Sequence, residues 1–241
     1  MRLLVSVRNL KEARVAVDAG VDIVDLKEPD AGALGMVNPS VIAEVSQSLE
    51  CDEHEHRPGL SIALGEVADW HRHDLPGFPE VMYAKLGLAG LRDEANWENH
   101  WLMARSRIEQ NMPQLPNWVA VCYADHNEAL APSPESVLEA ARKTGCQFLL
   151  FDTWNKQNGR LWDHLSPGCL ATLVERAHQY NLQVAVAGRL NADDIPLAAE
   201  VGADIFAVRS AACEQHKRTG FVSARCIEQL RKSIVDEASR S

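Results

Sequence analysis

The chain has 241 residues, of which 46% are hydrophobic and 24% charged, and its formal net charge is −10 at pH 7. This composition excludes fibrous and disordered classes and suits a soluble globular protein with a sizeable core. The acidic balance argues against a nucleic-acid partner, which needs a basic face to displace counterions. No apolar run approaches the roughly 20 residues that a membrane span requires.

Met1 and Arg2 lead directly into an apolar strand, with nothing that reads as a targeting segment. Short β-branched runs then recur at 3–6, 23–26, 60–64, 81–84, 118–123, 148–151, 184–187 and 205–208, with room for a helix between each pair. Alternation of that kind is the sequence form of repeated βα units around a parallel sheet. Helical stripes stand at Leu10, Ala13 and Val17, at Leu170, Val174 and Ala177, and at Ile227, Leu230 and Ile234. Helix starts are marked by Asn38 before Pro39 and by Ser133 before Pro134. Gly20, Gly145 and Gly202 each stand between a helical pattern and the next strand, three copies of one turn. The expected fold is a single α/β domain over residues 1–241, a (β/α)₈ TIM barrel. An open doubly wound sheet would use similar turns. Segments 51–57 and 70–79 are polar and aperiodic and read as surface loops.

Six cysteines (Cys51, Cys122, Cys146, Cys169, Cys213 and Cys226) are scattered without CxxC spacing. Reduced thiols and a cytoplasmic setting are the expectation. His54 with His56, and His71 with His73, have no third ligand at recognisable spacing, so solvated loops are favoured over a metal site and no metal or other cofactor is expected.

In a barrel, reactive groups gather at the carboxyl ends of the strands. Strand two ends in Asp25-Leu26-Lys27, and alternation puts Asp25 and Lys27 on the face opposite Val24 and Leu26. Strand four ends in Tyr83-Ala84-Lys85, with Tyr83 and Lys85 sharing a face. Strand six ends in Asp152, with Lys156 four residues on. Single lysines after strands are commonly solvated loop residues. Three lysines and two carboxylates converging on one rim read instead as a site, where crowding and desolvation lower an amine's pKa until it can attack a carbonyl. Asp125, after strand five, is expected to face the pocket, and His126 to lie at the surface. Gly188, Arg209 and Ser210 occupy the loops after strands seven and eight, where barrels commonly bind phosphate; Arg189 is expected to be exposed.

The run Asp22-Ile23-Val24-Asp25-Leu26-Lys27-Glu28-Pro29, followed by Gly32-Ala33-Leu34-Gly35, resembles the signature of the (5-formylfuran-3-yl)methyl phosphate synthase family, also called 4-(hydroxymethyl)-2-furancarboxaldehyde-phosphate synthase. Ala84-Lys85-Leu86-Gly87-Leu88, Tyr123-Ala124-Asp125, Leu150-Phe151-Asp152-Thr153 with Lys156, Val186-Ala187-Gly188 and Val208-Arg209-Ser210-Ala211-Ala212-Cys213 resemble family segments in the same order, across nearly the whole chain. Segments 51–57 and 70–79 do not look typical of the family, and Ser210 stands where glycine is expected.

The resemblance implies a lyase of methanofuran biosynthesis that condenses two molecules of glyceraldehyde 3-phosphate, losing phosphate and water. It assigns a Schiff base to Lys27 and proton transfer to Lys85, and places Asp152 and Lys156 in the active site. The expected partner is thus a small phosphorylated aldehyde, with no nucleic acid and no membrane. A homo-oligomer is expected because barrels often associate. Two other readings are an aldolase or isomerase of triose phosphates and a non-catalytic binding barrel.

Overall fold

The computed structural model describes residues 1–51, 57–71 and 77–239. Eight parallel strands close a barrel in sequence order: β1 (Arg2–Val7), β2 (Ile23–Leu26), β3 (Gly59–Glu66), β4 (Tyr83–Gly87), β5 (Asn117–Tyr123), β6 (Phe148–Asp152), β7 (Gln183–Val186) and β8 (Ile205–Val208). β8 pairs back onto β1, with Val5 opposite Val208. The helices are α1 (Leu10–Asp18), α2 (Pro39–Glu50), α3 (Trp97–Glu109), α4 (Pro134–Lys143), α5 (Leu161–His164), α6 (Pro167–Gln179), α7 (Ile195–Glu200) and α8 (Ala224–Ala238). The (β/α)₈ expectation holds with two variations: a 3₁₀ turn at Val67–His71 is the described helical element between β3 and β4, and two helices join β6 to β7.

Strand alternation sorts the side chains into two cores. Val5, Val24, Ile62, Leu86, Phe151 and Phe206 point outward and pack with the helices. Leu4, Ile23, Tyr83, Val121, Leu150 and Ile205 fill the barrel interior. Asn38 and Ser133 cap α2 and α4, accepting from the backbone N–H of Ser40 and Ser136, each with proline at the first turn. Such caps contribute about 1 kcal/mol each. Gly20, Gly145 and Gly202 all have positive φ (75°, 70° and 82°), so the repeated turn uses the left-handed conformation that glycine adopts at little steric cost.

Two local readings are corrected. β4 starts and ends later than 81–84, placing Lys85 inside the strand opposite Ala63, because its side chain continues the inward face begun by Tyr83. Segment 70–79 is not surface loop throughout. Trp70 and Phe78 are buried against each other, with ring centroids 6.3 Å apart, and the Trp70 indole donates to Leu64 O at 2.6 Å. No helix among the described residues is long and apolar enough to cross a membrane.

Candidate active site

The carboxyl ends of the strands open into a cleft of about 550 Å³, counting its mouth, lined in part by Lys27, Lys85, Asp25, Asp152 and Lys156. Parity is the cause. Asp25 lies in the strand register between Ser6 of β1 and Ser61 of β3, so three inward side chains meet in one layer. The Ser6 hydroxyl donates to Asp25 Oδ2 at 2.9 Å and the Ser61 hydroxyl to Asp25 Oδ1 at 2.8 Å. Lys85 Nζ donates to Asp25 Oδ1 and, at 3.2 Å, to Ser61 Oγ. All four residues are buried. Every oxygen of this carboxylate is engaged, as a buried charge requires.

Asp152, at the end of β6, is arranged differently. Its Oδ1 accepts from Lys156 Nζ and from the Thr153 backbone N–H at 2.8 Å. Its Oδ2 is buried without a hydrogen-bond partner and lies 3.8 Å from Lys27 Nζ. Burial alone would raise the Asp152 pKa; Lys156 and Lys27 more than reverse this and hold it below the usual carboxylate range. For Lys27 the balance goes the other way. Desolvation outweighs the attraction of Asp152, and with Lys156 and Lys85 nearby it lowers the amine to about 8. Desolvation also lowers Lys156.

The remaining expected residues are placed as follows. Asp125 is buried and accepts from the backbone N–H groups of Trp154 (2.7 Å) and Asn155 (2.8 Å). It braces the loop that carries Lys156, in contrast to the expected pocket-facing role. His126 is half-buried, with a buried, unpartnered Nδ1, where a surface histidine was expected. Gly188 lines the cleft, but its missing side chain serves packing first: at φ +105°, a Cβ would meet Leu161 at 3.1 Å and Thr153 at 3.2 Å. Ser210 lines the cleft and Arg189 is exposed at its edge.

Arg209 is the main departure. Its guanidinium is buried in a bidentate pair with Glu12 (2.6 and 3.1 Å), and its other N–H groups go to the carbonyls of Ser6, Arg218 and Gly220. That side chain ties β8 to α1 and to the loop beyond, with its charge compensated, instead of supplying free charge to an anion.

Sequence reasoning missed Ser6, Ser61 and Arg218. The two serines carried a signal, a hydroxyl at an inward position of a buried strand. Arg218 carried none, since it stands in an aperiodic loop. It borders the cleft and donates to Gly32 O at 2.8 Å. Tyr123, which donates to Glu66 at 2.6 Å, was also unassigned. His54, His56 and His73, and the side chain of His71, lie outside the described residues, among which no group of three metal-ligating side chains occurs.

Comparison with known proteins decides the family. A model described as 4-HFC-P synthase matches residues 3–231. The chain belongs to the 4-HFC-P synthase family. It is 34% identical to a (5-formylfuran-3-yl)methyl phosphate synthase of Methanopyrus kandleri, over 97% of this chain and 98% of that one. It is 31% identical to the protein of the same name from Methanocaldococcus jannaschii, over 96% and 99% of the two chains. Among solved structures, phosphoribosyl anthranilate isomerase from Thermus thermophilus aligns with a TM-score of 0.60 at 12% identity, over 98% of this chain and 99% of that chain. For 3-hexulose-6-phosphate synthase from Salmonella typhimurium the TM-score is 0.58 at 14% identity, over 98% and 100%. These two likenesses concern the barrel fold. Membership of the 4-HFC-P synthase family makes the chain an enzyme.

Proposed function

We propose that this member of the 4-HFC-P synthase family condenses two molecules of glyceraldehyde 3-phosphate into (5-formylfuran-3-yl)methyl phosphate, with loss of phosphate and water, in methanofuran-type cofactor biosynthesis. The family and the names of its relatives support the product. The observation that supports the chemistry is the Lys27 amine: buried, lowered to about 8, and facing a carboxylate oxygen that has no hydrogen-bond partner.

At neutral pH a useful fraction of such an amine is unprotonated, and its lone pair can attack an aldehyde carbon. Loss of water gives an imine between Lys27 Nζ and the substrate. The imine withdraws electrons, so the neighbouring carbon can lose a proton and become the nucleophile that bonds to the second aldehyde. Asp152 Oδ2, already beside Lys27, is placed to hold or relay that proton, with Lys156 steadying the other oxygen. Lys85, bound to Asp25 and Ser61, supplies an ammonium donor for oxygens that leave as water. Hydrolysis of the final imine frees Lys27. Over the whole reaction one substrate phosphate leaves as inorganic phosphate, its carbon–oxygen bond broken by elimination, and two waters are lost, so the carbon–oxygen lyase sequence balances without an oxidant.

The test is incubation with glyceraldehyde 3-phosphate, with and without borohydride. The expected results are a new furan absorbance and, under borohydride, a reduced adduct mapped by mass spectrometry to the peptide containing Lys27. An adduct on a different lysine would remove the assigned nucleophile. A sugar bisphosphate or dihydroxyacetone phosphate as sole product would replace the synthase reading with an aldolase or isomerase.

A further inference from the structure

The half of the barrel mouth formed by β3, β4 and β5 holds two ionisable groups that the steps above do not use, Glu66 and Tyr123. Alternation along β3 turns Leu60, Ile62 and Leu64 outward, so an unbroken strand would send Glu66 outward as well. The strand is broken. Its pairing with β4 shifts register between Ala63 and Glu66, and Gly65, inside that shift, has φ +76°, in the left-handed region. Irregularities of this kind re-aim a side chain and are over-represented beside active sites. Here the Glu66 carboxylate turns into the barrel and lies over Gly87, where a Cβ would collide with it. Gly87 continues the inward face of Tyr83 and Lys85, so the carboxylate stands one inward position beyond Lys85, about 7 Å further along the strand.

Its partners are neutral. Oε1 accepts from the Tyr123 hydroxyl at 2.6 Å and Oε2 from the Ala89 backbone N–H at 2.9 Å, and Glu66 forms no ion pair among the described residues. Burial pushes the carboxyl above its usual range and the charge of Asp69 adds to this, while the two donors reverse only part of it. Tyr123 is fully buried, opposite Asp152 in the β5–β6 register. Burial and the charges of Glu66, Asp152 and Asp125 push its phenol up, so it keeps its proton and donates. A half-buried carboxylate without a cation lowers stability, yet a register shift and two glycines hold it in place. Such a group at the carboxyl end of a barrel is kept for chemistry, since packing alone would favour an apolar side chain.

We propose that Glu66 is a further acid–base residue of this site, the base that works with Lys85 in the dehydration that follows carbon–carbon joining, and that Tyr123 is its positioning residue. The inference rests on the synthase reading above. Glu66 takes a proton from one carbon while Lys85 protonates the hydroxyl on the next. The C–H and C–O bonds break, a carbon–carbon double bond forms and water leaves. Glu66 then gives its proton to solvent at the mouth, and Lys85 regains one.

The test compares furan formation with borohydride trapping of the intact protein and glyceraldehyde 3-phosphate, because Glu66 acts after the imine forms. Glu66→Gln should keep trapping at Lys27 and lose furan formation at least tenfold. Tyr123→Phe keeps the ring and removes one donor from the carboxylate, so the carboxyl should hold its proton to higher pH. The acid limb of its furan-formation profile should therefore move up in pH, while the trapping profile stays in place. A thermal melt checks folding of both variants, and should Glu66→Gln fail to fold, the limb in Tyr123→Phe decides. Wild-type furan formation in Glu66→Gln, an equal loss of trapping and furan, or an unmoved acid limb in Tyr123→Phe would overturn the proposal. Its failure is distinct from failure of the synthase reading. The reading fails when the wild type forms no furan, whereas the proposal alone fails when the wild type forms furan and these variants give any of the three contrary results.

Discussion

Asp25 and Asp152 face the same cleft from opposite sides of the barrel, and they are held in contrasting ways. Both oxygens of Asp25 accept hydrogen bonds, from Ser6, Ser61 and Lys85, within a layer set by strand register. Asp152 has one oxygen saturated by Lys156 and the Thr153 N–H, and the other left bare beside Lys27. A fully satisfied buried network gains rigidity, whereas a buried oxygen without a donor holds free energy that is released when a proton or a new donor arrives. The first carboxylate is thus suited to hold an ammonium in place, and the second to change state during a reaction. The same contrast separates Arg209, saturated by Glu12 and three carbonyls, from Arg218.

The largest effect should come from removing the amine on the bare side. Lys27→Met should reduce furan formation on the order of 10³-fold or more and abolish borohydride trapping, since it removes the proposed nucleophile. Retention of more than a tenth of the activity would break the assignment. On the saturated side the main loss should be in stability. Asp25→Asn leaves Lys85 charged and buried without its counterion, and the two serines without their acceptor. Urea unfolding should show a loss of about 3 kcal/mol. If Asp25→Asn unfolds like the wild type, the network is not the support described here.

The bare oxygen gives a finer test. Asp152→Asn removes the charge that raises Lys27, so the amine should titrate below its wild-type value of about 8. The pH midpoint for borohydride trapping should move down, while turnover falls about 10²-fold if the proposed proton relay runs through this carboxylate. A midpoint that stays fixed or rises would contradict the electrostatic account, whatever happens to the rate.

The unequal treatment of the two carboxylates was only partly legible in the sequence. Strand alternation has a period of two, so Asp25 with Lys27, and Tyr83 with Lys85, could be assigned to one face from the chain alone, and the closed barrel keeps them there. The register that sets Ser6 and Ser61 beside Asp25 depends on how strands pair, which no single strand encodes. The chain alone shows Arg209 as free charge, because Glu12, its partner, lies 197 residues away. Nothing in the sequence marks Arg218, because no period governs the loop that carries it. Val81 and Met82 are as apolar as a strand requires, so the sequence starts β4 early, and only pairing with β3 shows where the ladder begins.

The smallest effect should have the opposite sign to the first, in the same variant. Lys27 has its ordinary value of 10.5 in the unfolded chain and about 8 in the folded one. Between these values the unfolded chain binds more protons than the folded chain, so stability rises with pH across that window. Below about 8 both states carry the charge and the full cost of burying it remains, about 3 kcal/mol at most. Lys27→Met removes that cost and keeps an apolar stem of similar length, but it also withdraws a cation that helps to hold Asp152 ionised. The net gain at pH 7 should therefore be about 1 to 2 kcal/mol, shrinking towards zero as the pH approaches 10.5. Paired thermal melts of wild type and variant at pH 7 and pH 10 measure it. A variant less stable than the wild type at pH 7 would mean that Asp152 returns more to Lys27 than desolvation takes away, and the amine would then not be the poised group on which the proposed chemistry depends.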